Sequence, residues 1–84
     1  MSDRAPSNDV VETVIREIVR VSAVPSVAPD QSLLESGLID SITLVDLLFA
    51  LEDQFRVTID LADARPEQFD TAMRIAAFLE SKRP

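Results

Sequence analysis

Gly37-Leu38-Ile39-Asp40-Ser41-Ile42 is where a loop gives way to the most apolar stretch of the chain. Gly37 is the only glycine, and its expected role is a backbone with positive φ that ends the preceding turn. Asp40 is a good helix N-cap, and the run from Ser41 to Phe55 contains neither Gly nor Pro. At about 100° per residue, Leu44, Leu47, Leu48, Leu51 and Phe55 share one face, the core stripe of a helix over 41–55. Ile42, Val45 and Phe49 share a second face, bordered by Ser41 and Glu52 on one side and by Asp46 and Asp53 on the other. A core helix needs one apolar stripe, and this one has two. With Asp40 counted, four carboxylates rim the second.

Upstream, Val10, Val11, Val14, Ile15, Ile18 and Val19 form one stripe of an amphipathic helix over 9–21, with Asn8 or Asp9 as its cap. Glu12, Arg16, Glu17 and Arg20 fall outside that stripe. Residues 22–40 make a long connection holding Pro25 and Pro29, a length that asks for a turn or a job of its own. Asp30-Gln31-Ser32-Leu33-Leu34-Glu35 reads as such a turn, capped by Asp30 and anchored by its two leucines. Downstream, Val57 and Ile59 alternate with polar residues in a short extended connection. Asp60 is placed to cap a brief turn from Leu61 to Arg65, which Pro66 stops. Phe69 reads as a buried anchor, and Asp70 or Thr71 as the cap of the last helix. There Ala72, Ile75, Ala76 and Leu79 give the core stripe, widened by Met73, Ala77 and Phe78. The expected fold is all-α: three main helices plus one or two single turns, a small bundle with a long first crossover, a four-helix bundle when the short turn is counted. Its expected extent is 9–81, with tails at 1–8 and 82–84.

The chain has 84 residues, enough for one core and no second. It has no cysteine and no histidine, so disulfides, thiol chemistry, His-dependent triads and the usual metal clusters are not expected. A net charge of −7 argues against nucleic acid and against an anionic membrane surface, and favours basic partners. No apolar run approaches the roughly 20 residues of a membrane span, and the N-terminus lacks a signal-peptide core. A soluble, cytoplasmic, monomeric protein is the expectation.

The hydroxyl of Ser41, at the first position of a helix, can cap, attack or carry an ester. As a nucleophile it would need a base, and the only lysine is Lys82, in the C-terminal tail, so catalysis is not expected. A phosphodiester suits a helix N-terminus, where free N–H groups and the dipole favour an anion. The neighbouring Asp40 opposes that unless the ester points outward. As a capping pair alone, Asp40-Ser41 needs no further function.

The pattern Leu33-Leu34-Glu35-Ser36-Gly37-Leu38-Ile39-Asp40-Ser41-Ile42, followed by Leu44, Val45, Leu47, Leu48, Leu51, Glu52 and Phe55, resembles acyl and peptidyl carrier proteins across their second helix. The resemblance runs on through Val57, Ile59 and Phe69-Asp70-Thr71 and covers about residues 9–80. It implies that Ser41 receives 4′-phosphopantetheine from coenzyme A and that the arm's thiol holds cargo as a thioester. It also implies that the protein is not an enzyme. The implied partners are a phosphopantetheinyl transferase, an adenylating or acyl-loading enzyme, and a downstream acyltransferase or synthase with a basic docking patch. Fatty-acid carriers commonly have an acidic residue two after the serine, and here Thr43 stands in that place. The Gly-Leu-Ile-Asp-Ser loop and Phe69-Asp70-Thr71 are closer to D-alanyl and other stand-alone aminoacyl carriers. The expected setting is a specialised biosynthetic or envelope-modification pathway.

On this resemblance Ile42, Val45 and Phe49, with Leu38 beside the arm, meet apolar patches on partner enzymes, while Asp46, Glu52 and Asp53 meet basic rims. Without the resemblance, Phe49 and Leu38 read as core and the carboxylates as a solvated face. The alternative from another class is an acidic interaction module that uses the same face and stays unmodified at Ser41.

Overall fold

A computed structural model of the chain describes residues 6–60 and 65–82. The element order is α1 (Asn8–Ser22), α2 (Ser41–Phe55), a 3-10 turn (Pro66–Phe69) and α3 (Ala72–Lys82). The architecture is all-α: among the described residues there are three α-helices and no strand, so a count of four is not reached there. The expected turn from Leu61 into Arg65 lies mostly outside the described residues.

α1 packs against both α2 and α3. Its stripe is as its period requires, with Val10, Val11, Val14 and Ile18 buried and Ile15 and Val19 packed at the edge. The helix starts one residue earlier than expected, with Ser7 as N-cap in place of Asn8 or Asp9. The Ser7 side chain makes no capping bond; its carbonyl accepts from the Val10 and Val11 amides, each at 3.1 Å. Its own amide donates to Glu80 Oε2 at 2.8 Å, which ties the start of α1 to α3. That tertiary bond fixes the entry that a local capping box would otherwise set.

Glu17 departs from the sequence reading, which left it outside the apolar stripe. It is buried, at 8% exposure. Arg20 donates to Glu17 Oε1 through Nε (3.0 Å) and Nη2 (2.6 Å), and Gln54 Nε2 donates to Oε2 at 2.8 Å. A buried carboxylate is tolerated when its lone pairs are satisfied, and here both oxygens are. Burial acts to raise the Glu17 pKa, but the bonds from Arg20 and Gln54 and the charges of Arg20 and Arg16 together hold it below the ordinary value. The result is a polar tie from α1 to α2 beside the apolar one.

α2 contributes Leu44, Leu47, Leu48 and Leu51 to the core. From α3 come Ala72, Ile75, Ala76 and Leu79, as its spacing predicts. Met73 and Ala77 do not widen that stripe, since both are exposed; Phe78 does, half-buried with its ring edge-on to Phe69 at 5.0 Å. Phe69 is the expected anchor, 1% exposed. Pro66 opens the 3-10 turn, using the position where a missing N–H costs nothing. Of the two cap candidates for α3, Thr71 takes the role: its Oγ1 accepts from the Arg74 amide at 3.1 Å. Asp70 is employed elsewhere.

Residues 23–40 hold no helix, yet the connection is ordered by its own contacts. Val27, Leu33 and Ile39 are buried. The Met73 amide donates to the Pro29 carbonyl (3.0 Å), which fastens the middle of the loop to the start of α3. Asp30 was expected to cap the turn at 30–35 but makes no such bond among the described residues; the carboxylate that holds the turn is Asp70, from 36 residues beyond Leu34.

Candidate functional site

The segment leading to Ser41 is built from the far side of the chain. Asp70 Oδ1 accepts from Ser32 Oγ (3.0 Å), the Leu34 amide (3.0 Å) and the Glu35 amide (3.3 Å), while the Asp70 carbonyl accepts from the Leu33 amide (2.6 Å). The Leu34 amide bond leads the effects that hold the Asp70 carboxyl below its ordinary pKa. Ser36 Oγ donates to the Ser32 carbonyl and accepts from the Leu38 amide, so the turn closes on itself. Gly37 adopts φ +79°, as expected from its position, and its amide donates to the Leu34 carbonyl at 3.1 Å. The Ile39 amide then donates to the Leu33 carbonyl at 3.0 Å, and α2 begins two residues later.

Asp40 is the N-cap of α2, in extended conformation at φ −102° and ψ 179°. Its Oδ1 accepts from the Thr43 amide at 2.8 Å, and its carbonyl accepts from the Leu44 amide at 2.9 Å. The Thr43 amide bond is the main cause that holds the Asp40 carboxyl below the ordinary range, so it is ionised at neutral pH. One of its oxygens is thereby turned onto the helix end.

Ser41 follows as the first helical residue, with an exposed side chain. Among the described residues no hydrogen bond engages its hydroxyl. It is therefore not needed as the cap, because Asp40 already fills that role. An exposed hydroxyl beside a helix N-terminus, with the adjacent carboxylate occupied, fits a phosphodiester directed into solvent.

The second stripe of α2 is an outer face. Ile42 is 74% exposed and Phe49 56%, so neither is core; Val45 is half-buried between them in sequence. Asp46 and Asp53 are exposed. Glu52 is not a free surface carboxylate: half-buried, its Oε2 accepts from the Ile59 amide at 2.5 Å and holds the connection after α2. Leu38 packs half-buried against the core. Ser41, Ile42, Val45, Asp46, Phe49 and Asp53 thus share the exposed side of one helix, whereas Glu52 and Leu38 also serve the fold.

Asp70 is the residue that the sequence reading missed. Locally it looks like a cap, and nothing nearby signals that its acceptors are used 35 to 38 residues upstream. Among the described residues no cluster of carboxylates is arranged to hold a metal ion, and no helix is long and apolar enough to cross a membrane.

A family model described as a phosphopantetheine attachment site matches residues 9–80. The chain is 32% identical over 69 residues to a D-alanyl carrier protein of Streptococcus suis, covering 80% of this chain and 86% of that protein. It is 29% identical over 73 residues to a D-alanyl carrier protein of Leuconostoc citreum, covering 87% and 86%. A shorter match, 31% identical over 52 residues, joins it to a D-alanyl carrier protein of Lactobacillus acidophilus and covers 62% of this chain and 66% of that one. With the family match spanning helix start, loop and all three helices, the chain belongs to the phosphopantetheine-attachment family of carrier proteins, whose prosthetic group is 4′-phosphopantetheine.

Proposed function

We propose that Ser41 is the attachment residue and that residues 9–81 act as a small acyl-carrier-like domain. The observation that carries this is the exposed hydroxyl at the first residue of α2, free of hydrogen bonds among the described residues and beside a cap supplied by Asp40. The Ser41 hydroxyl attacks the pantetheine-side phosphorus of the coenzyme A diphosphate. A serine phosphodiester forms, the P–O–P bond breaks, and adenosine 3′,5′-bisphosphate leaves. The hydroxyl proton passes to a base on the transferase, since the carrier has no histidine of its own. When bound, the arm supplies a thiol that holds cargo as a thioester.

The cargo class that we favour is aminoacyl, in an envelope-modification pathway, because the similar proteins are D-alanyl carriers; acyl or polyketide cargo in a natural-product pathway is the other member of the class. The protein presents cargo as a cytoplasmic monomer and does no chemistry itself. Its partners are the transferase, an adenylating or acyl-loading enzyme, and a downstream acyltransferase or synthase. Ile42, Val45 and Phe49 anchor them, while Asp46 and Asp53, with Glu52 and Asp40 at the margin, steer basic docking patches.

Intact mass is the test, read before and after incubation with coenzyme A and a broad-specificity phosphopantetheinyl transferase. A gain of one phosphopantetheine, mapped to Ser41 and absent in Ser41→Ala, is the expected result. The variant keeps its thermal midpoint, because Asp40 and not Ser41 caps α2. Modification retained in Ser41→Ala refutes the assignment. No gain from an unmodified sample transfers the reading to an acidic interaction module.

A further inference from the structure

Three donors converge on a single oxygen, Asp70 Oδ1: the Ser32 hydroxyl and the Leu34 and Glu35 amides. A fourth bond, from the Leu33 amide to the Asp70 carbonyl, lies beside them. Two peptide amides can be supplied by any residues, so what specifies the junction is the carboxylate at 70 and the hydroxyl at 32. In the chain Asp70 lies between Phe69, which is 1% exposed, and Thr71, which caps α3. The junction also leads toward the modification site: Leu33 accepts from the Ile39 amide at 3.0 Å, the Leu33 and Ile39 side chains are 0% and 4% exposed, and Asp40 and Ser41 follow. Through its carbonyl Asp70 is thus two hydrogen bonds and two peptide units from Ser41, 29 positions away in the chain, and its carboxylate holds the residues on either side of that route, Ser32, Leu34 and Glu35.

We propose that Asp70 is a positioning residue for the modification of Ser41, clamping residues 32–39 to the start of α3 so that the entry to α2 is held in the form a transferase engages. This rests on Ser41 being the attachment residue. An anionic acceptor suits the task because charge-assisted bonds are the stronger kind, and one oxygen serves three donors here. With the clamp absent, the loop opens locally while the helical core stays folded, since core and loop need not open together. The fraction of molecules in the engaged form falls, and apparent affinity falls with it. The loss appears in KM for the carrier and not in kcat, because the carrier, once bound, meets the same chemistry.

The experiment pairs amide exchange with transfer kinetics on the full chain, using coenzyme A and a broad-specificity transferase. In Asp70→Ala, exchange at Leu34 and Glu35 is expected to quicken about tenfold or more while Val14 in α1 is unchanged, and KM rises about tenfold at constant kcat. Asp70→Asn keeps an oxygen acceptor without the charge and falls between wild type and Ala in both readouts. Thr71→Ala, which removes only the α3 cap, leaves loop exchange and KM as they were. Should Asp70→Ala fail to fold, Ser32→Ala and Asp70→Asn carry the same test, each with a smaller KM increase that tracks loop exchange. Faster loop exchange with wild-type KM overturns the proposal, as does unchanged exchange in Asp70→Ala. A wild-type protein that is never modified overturns the attachment reading and the presentation role with it, while the exchange arm still reports whether Asp70 anchors the loop.

Discussion

Among the described residues three have left-handed backbones, and one of those three is glycine: Gly37 at φ +79°, with Ala23 and Arg56 each at φ +57°. Ala23 and Arg56 are the C-caps of α1 and α2, donating to the Val19 and Glu52 carbonyls. A side chain in that region costs about 1–2 kcal/mol, and glycine avoids it but adds about 0.4–1 kcal/mol of unfolded-chain entropy. The net for Ala23→Gly or Arg56→Gly is a gain of about 0.5–1 kcal/mol, read as a higher denaturant midpoint at unchanged slope. Gly37→Ala runs the other way by a similar amount. A Cβ built on Gly37 meets nothing within 4 Å, so strain and not collision sets the penalty. A Gly37→Ala loss well above that range would mean that the loop fails to reach the Leu34 bond at all.

At the scale of the element, α2 carries two apolar stripes with opposite duties, and paired substitutions separate them. Leu48 is 1% exposed, so Leu48→Ala removes core and costs about 2–5 kcal/mol. Phe49 is 56% exposed, so Phe49→Ala stays within about 0.5 kcal/mol in stability while slowing loading by partner enzymes. The carboxylates divide in the same way. Asp46→Lys leaves stability unchanged and weakens partner association at low salt, an effect that salt erases. Glu52→Lys also loses the bond to the Ile59 amide and destabilises by about 1 kcal/mol, so only Asp46 and Asp53 report cleanly on recognition. Thermal melts alongside loading kinetics distinguish these outcomes; equal stability losses in Leu48→Ala and Phe49→Ala would refute the two-stripe reading. The limits of α2 and both its faces were legible in the sequence because cap, period and freedom from Gly and Pro are local signals. Glu52 was legible only as an acid, since its partner amide lies on the connection that leaves the helix.

Across the whole molecule, what escaped the sequence is long-range polar bonding. Glu17 meets Gln54 across 37 positions, Ser7 meets Glu80 across 73, and Asp70 meets Leu34 across 36. No periodicity encodes such pairings, whereas apolar burial in three helices needs only one stripe in each. Two of these bonds, at Glu17 and Asp70, together with the local Asp40 cap, give the fold its acid limb. Glu17, Asp40 and Asp70 all have pKa values held below the ordinary carboxylate value of about 4. A depressed folded pKa means that the unfolded chain binds protons first as pH falls, so stability from these groups is present in full above the unfolded value. It is then lost as pH drops through the folded values. The thermal midpoint should therefore be flat from about pH 7 to 5 and fall below about pH 4. Glu17→Gln lowers the midpoint at neutral pH, where the Arg20 pair is lost, but flattens the fall, because one linked proton has been removed. Asp70→Asn flattens it likewise, and loop amides at Leu34 and Glu35 lose protection in acid before Val14 does. A midpoint constant down to pH 3 would falsify the linkage: the three carboxylates would then have the same proton affinity folded and unfolded, and the polar ties would be contacts without energetic consequence.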